Sequence, residues 1–111
     1  MPAQKIPVLT LSVAAAAAHP EFLAVTAAGA LPGAGAKILG ITTELAVSGK
    51  QVPIDVLGTT VATAGAAVAL DANLEATAAG KLITATSGVV VARALQAAAA
   101  DGDTFEVLLT P

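Results

Sequence analysis

The chain has no cysteine, tryptophan or tyrosine, and in 111 residues it carries one histidine, one methionine and two phenylalanines. Without cysteine there are no disulfides, thiolate zinc sites or cysteine nucleophiles. The single histidine, His19, stands beside Pro20 in a segment that reads as a loop, and is expected to be an exposed or capping residue. A general base needs an orienting partner and a nucleophile, and neither is suggested nearby. Charged residues make up 12% of the chain, with a net charge of -3. The five basic ones, Lys5, Lys37, Lys50, Lys81 and Arg93, are scattered singly, so no basic stripe exists to neutralise phosphates. With aromatics at 2% there is no stacking platform either, and nucleic acid is not an expected partner. No run of about 18 strongly apolar residues is present to span a membrane, because Gly, Pro, Thr and charges interrupt every candidate. The N-terminus imitates a signal peptide, with Lys5, an apolar stretch and an Ala-x-Ala site. Its single basic residue and the interruption at Pro7 favour an extended N-terminal arm on an intracellular product.

What is abundant is alanine. Hydrophobic residues reach 56%, yet with Phe22 and Phe105 the only aromatics the core has to be built from Val, Ile, Leu and Ala. Burying such side chains stabilises less per residue than burying aromatics, so a monomer of this composition gains from a partner surface. The length suits one domain.

Residues 89–109 are the most legible stretch. A β-branched run leads through small residues to Asp101-Gly102-Asp103, after which Phe105, Val107 and Leu109 alternate with Thr104, Glu106 and Leu108. That is strand, connection, tight turn and strand, with glycine supplying the positive φ and Glu106 expected on the solvent side. Residues 38–56 echo the pattern at a shift of about fifty residues, with Ser48-Gly49 matching Asp101-Gly102 and Val52, Ile54 and Val56 matching Phe105, Val107 and Leu109.

Elsewhere, residues 1–37 read as an N-terminal arm followed by an Ala/Gly-rich segment, and residues 38–111 as a β-rich body. The arm alternates loosely through Ile6, Val8, Thr10 and Ser12, a pattern that suits equally an edge strand able to join a neighbour's sheet and a disordered tail. Residues 14–18 have helix propensity, but His19-Pro20 stops them after about one turn. The glycines of 27–35 lack the spacing and the Lys-Ser/Thr pair of a phosphate loop and read as a flexible connection. Pro53 suggests an edge or bulge position, and Gly58-Thr59-Thr60 a turn into a strand at 61–63. Turn signals every eight to twelve residues or so indicate an all-β, small single-domain β-barrel or sandwich of short strands. Asp101, Asp103 and Glu106 fall short of a calcium loop, which needs more oxygen ligands at defined spacing. Lys50 lacks the setting of a modified swinging-arm lysine. No catalytic residue, metal ligand or cofactor is expected, and the chain does not read as an enzyme.

Gly65-Ala66-Ala67, the Asp71-Ala72-Asn73 turn, Ala94-Leu95-Gln96-Ala97-Ala98 and Gly102-Asp103 resemble, in their order, segments of the small capsid decoration (cement) proteins of tailed bacteriophages. The resemblance covers residues 38–109. It departs at Leu74, where a glycine usually closes the central turn, and at Gln96, where glutamate is usual. It implies a structural virion protein that binds the outer surface of a phage capsid after assembly in the host cytoplasm and stabilises the shell. The major capsid protein would be its partner, and a homotrimer is expected ahead of a dimer. Lys5, Ile6, Val8 and Leu9 of the arm are the candidate capsid or subunit contacts. The alternative is a secreted or surface-displayed β module for adhesion or carbohydrate binding.

Overall fold

The computed structural model describes residues 6–109, among which the chain forms eight strands and no helix. In order they are β1 (Pro7–Ala14), β2 (Ala24–Val25), β3 (Gly40–Thr42), β4 (Gln51–Thr63), β5 (Asn73–Ala76), β6 (Leu82–Thr84), β7 (Ala92–Ala94) and β8 (Thr104–Leu109). Every ladder is antiparallel. The expected all-β class is the observed one, as a nearly closed barrel-like sheet. The alanines of 14–18 do not form a helical turn, since a run this short cannot offset the entropy of nucleation. Their backbone bonds across the molecule instead, Ala15 N–H to Lys50 O at 2.9 Å and Ala16 N–H to Gly29 O at 3.0 Å.

β4, 13 residues long, is the spine. Asp55 is the register partner of both Thr10 and Ile41, and Gly58 of both Pro7 and Leu109. β1 therefore takes one edge of β4, and β3 and β8 share the other end to end. The turn expected at residues 58–60 is not formed. Gly58, at φ +93°, lies where the β1 ladder shifts register, so the irregularity is absorbed within a continuous strand. Pro53 also sits in this interior strand, beyond the residues of β4 that pair with β3. Its carbonyl accepts from Thr43 N–H at 3.1 Å.

The sheet runs β2-β3-β4-β8-β7-β5-β6, and its two ends approach each other. Ala24 N–H of β2 donates to Gly80 O at 2.7 Å just before β6, and Leu82 of β6 bridges Ala64 just after β4. Inside lies the larger core, with Phe105, Ile41, Leu74, Leu82 and Val107 packed among alanines. A smaller cluster of Val25, Val52, Ile54, Ala46 and Ala15 lies apart from it. Leu74, the departure noted in the central turn, is fully buried, and Asp71 takes the left-handed conformation there instead, at φ +69°.

The partial echo seen in the sequence extends in three dimensions to nearly the whole chain. β1 on the first half of β4 matches the second half of β4 on β8, with Ala14–Gln51 corresponding to Thr63–Thr104 and Val13–Val52 to Ala62–Phe105. β2 on β3 matches β5 on β7, and β3 on β4 matches β7 on β8. The bridge His19–Ala46 corresponds to Val68–Ala98. Left-handed residues recur in step: Phe22 with Asp71, Gly29 with Gly80, Gly49 with Gly102. Two copies of one unit, residues 7–57 and 58–109, are thus joined through β4, and β6 is an addition to the second.

Candidate docking surface

Three of the expected contact residues are brought together at the start of β1. Ile6 exchanges main-chain hydrogen bonds with Thr59 in both directions at 3.1 Å, and its N–H also reaches Thr59 Oγ1 at 2.8 Å. The side chains nonetheless face outward: Ile6 is 62% exposed, Val8 76% and Leu9 40%. Lys5 lies outside the described residues. Leu11, not singled out in the sequence, joins the exposed group. Residues 8–12 are all exposed, so this strand is held by its hydrogen bonds to β4 and by few buried contacts.

Its principal side-chain anchor is Asp55, 1% exposed, whose Oδ1 accepts from Thr10 Oγ1 at 2.9 Å and whose Oδ2 accepts from Thr60 Oγ1 at 2.8 Å. A buried carboxylate is tolerated when hydrogen-bond donors replace its water, as these hydroxyls do. The sequence hid it, because Val52, Ile54 and Val56 suggest that Asp55 faces solvent. The register signal was the thread of hydroxyls, Thr10, Thr59 and Thr60.

Among the described residues no strand pairs with the second edge of β1. The strand reads Pro-Val-Leu-Thr-Leu-Ser-Val-Ala, without a charge, and its register is regular from Thr10 to Ala14. Exposed edges normally carry charges, prolines or bulges that prevent further pairing. Here those devices are confined to the first residues, at Pro7 and at the register shifts before Thr10, leaving the edge open from there until Gly29 packs on the Ala14 carbonyl.

The other candidate residues resolve into structural roles. Lys81 Nζ lies 2.9 Å from Asp101 Oδ1 in a surface ion pair. Asp103 Oδ2 accepts from the N–H groups of Ala99 and Ala100, each at 3.1 Å, and so shapes its turn. Glu106, expected on the solvent side, is buried, as are its neighbours Phe105 and Val107; strict alternation fails because parts of both faces of β8 are covered. Among the described residues no group of three acidic, histidine or cysteine side chains could hold a metal, and no helix is long and apolar enough to cross a membrane. His19 also departs from expectation. It is 6% exposed, and among the described residues neither ring nitrogen has a hydrogen-bond partner.

The most organised carboxylate is Glu75, on β5 beside an open depression of about 300 Å³. Its Oε1 accepts from Thr86 N–H at 2.8 Å and Thr86 Oγ1 at 3.0 Å. The Thr86 N–H, then the Thr86 hydroxyl, with smaller help from the Gly88 and Ser87 N–H groups, holds the carboxyl below its ordinary range against the opposing effect of desolvation. Oε2 packs against Gly88 and Gly35, where a Cβ on either glycine would meet it. Glu75 thereby clasps the 86–88 loop to the Gly-rich segment. That segment is a packed connection rather than a flexible one: Gly35, at φ +71°, donates to Ala76 O at 2.8 Å and accepts from Val89 N–H at 2.9 Å.

A family model described as phage cement protein matches residues 3–109. No curated protein sequence matches the chain. Among solved structures, the head fiber gp8.5 N base of bacteriophage phi29 is similar in fold, with a TM-score of 0.75 and 14% identity over 92% of this chain and 93% of that one.

Proposed function

The chain belongs to the phage cement protein family, and from that membership we propose that it docks on the outer surface of the shell through β1 and braces neighbouring subunits. A capsid-associated structural role, and with it association with the virion, follows from the family. The family also favours this role over a secreted adhesion or carbohydrate-binding module. One observation carries the β1 assignment: an uncharged strand with exposed apolar side chains keeps one edge open. A strand of the major capsid protein added to that edge would gain main-chain hydrogen bonds, each contributing about 0.5–1.5 kcal/mol net. Ile6, Val8 and Leu9, with Lys5, would add side-chain contacts at the start of the strand. Weak individual contacts suffice when many copies act on one shell.

In this role the protein is not an enzyme. It is made in the host cytoplasm and adds to the assembled shell. A homotrimer suits a three-fold position of the shell better than a dimer does. The test is to mix purified protein with expanded, undecorated capsids and to follow sedimentation and imaging. Occupancy of symmetry-related sites is expected, and deletion of residues 1–9 should lower it while the body still melts cooperatively. Full occupancy after the deletion would remove the arm from the interface, and failure to bind any shell would remove the docking role.

A further inference from the structure

The internal duplication supplies a control for each surface residue, namely its counterpart in the other unit. The loop between β3 and β4 and the loop between β7 and β8 share their bends, their bridge at Ala46 or Ala98, and their left-handed glycine at Gly49 or Gly102. The second loop is one residue longer between its bridge and its glycine, and the side chains at the tip differ. Leu45 and Val47 flank the first bridge, 67% and 50% exposed, whereas Ala97 and Ala99 flank the second. The second unit thus forms the equivalent bend and bridge without large apolar side chains beside the bridge, so a loop of this kind does not call for Leu45 and Val47.

Two hydrogen bonds between His19 and Ala46, at 3.2 and 2.9 Å, tie the tip to the segment that follows the exposed residues Ala16, Ala17 and Ala18. The surfaces of the two units differ in the same sense. Of the ten exposed large apolar side chains among the described residues, seven belong to the first unit or the residue before it. The second unit carries the surface ion pairs Lys81–Asp101 and Arg93–Asp71.

We infer that Leu45 and Val47 form a second contact with the shell protein, so that the first unit faces the capsid and the second faces solvent. This rests on the capsid-docking role proposed above. A second copy of this chain is a poor occupant. The two residues, 67% and 50% exposed, present roughly 200 Å² of surface, well short of the roughly 800 Å² per partner of a stable dimer. An apolar tip of that size instead suits a shallow pocket on a partner already held alongside, where the effective concentration is high. The tip lies by the β4 end of the loop, near Ala14, while Ile6 and Val8 lie at the opposite end of β1. Two contacts so separated fix an orientation as one cannot.

The test compares the wild-type chain with the double variant Leu45→Ala, Val47→Ala, which copies the second unit, by titration onto expanded, undecorated capsids. The expected result is unchanged melting of the free protein and an affinity about ten- to a hundred-fold weaker. The reciprocal variant Ala97→Leu, Ala99→Val should bind like the wild type. Equal binding by wild type and L45A/V47A would overturn the inference and leave the β1 role standing, whereas no binding by the wild type would overturn both. A wild-type dimer in solution that L45A/V47A dissociates would overturn it in favour of self-association. If the double variant does not fold, hydrogen exchange on wild-type particles decides: protection of amides 44–48 on the shell is expected, and exchange as fast as in the free protein would refute the contact.

Discussion

Replacing His19 by leucine should make the free protein more stable. The residue is 6% exposed and neither ring nitrogen is paired with another of the described residues, although in its neutral form one nitrogen is a donor and the other an acceptor. Leaving buried polar groups unsatisfied costs about 1–3 kcal/mol. Leucine is close in volume, so repacking should return less than about 1.5 kcal/mol of that gain. The hydrogen bonds that fix this position are both main-chain, between His19 and Ala46, and survive the substitution. The second unit already shows the apolar solution, since Val68 holds the corresponding place at 3% exposure. A net gain of about 1–2 kcal/mol is expected, and each kcal/mol raises the melting temperature of a domain this size by roughly 4–8 °C. Urea unfolding and calorimetry of His19→Leu and of the reciprocal Val68→His would measure it, the second expected to lose about 1–3 kcal/mol. If His19→Leu lowered stability, the ring would have a partner in the folded protein and the reasoning would fail.

Three further substitutions probe the fold. Among the described residues Phe105 is the largest fully buried side chain, in a core whose other members are aliphatic, so Phe105→Ala should lose about 3–5 kcal/mol in denaturant unfolding. Gly40→Ala would drive a Cβ into the Asp55 carbonyl oxygen and Ile54 Cγ2 at the β3–β4 crossing, and should fall at the upper end of the roughly 1–3 kcal/mol typical of overpacking. Glu75 has a depressed pKa in the folded state, so its contribution is present above the ordinary glutamate value of 4.5 and lost as pH falls through the lower folded value. Stability measured against pH below 4.5 should therefore decline less steeply in Glu75→Gln than in the wild type; identical slopes would show that the clasp does not titrate with folding.

Local chemistry made part of this molecule legible from its residues. The reversals at Ser48-Gly49 and Asp101-Gly102 are needs of single positions, and both glycines adopt positive φ. The strand through Phe105, Val107 and Leu109 follows from its own alternation, and all three are buried. The scarcity of reactive groups and the all-β class were readable for the same reason. Half of the duplication was also visible, where turn glycines and apolar alternation coincide. The other half was not, because hydrogen-bond geometry repeats while side chains do not: His19 answers Val68, and Phe22 answers Asp71.

What residues by themselves determined is where the chain can turn and which short segments extend, since φ preferences and side-chain alternation act over a few residues. Only the tertiary structure decided that β4 runs on through Gly58, that Asp55, Glu75 and Glu106 lie inside, and that β1 keeps an open edge. Those outcomes depend on which distant strands meet. A main-chain donor or a carboxylate is satisfied or exposed according to its neighbour across the sheet, and that neighbour is chosen by the burial of the whole core.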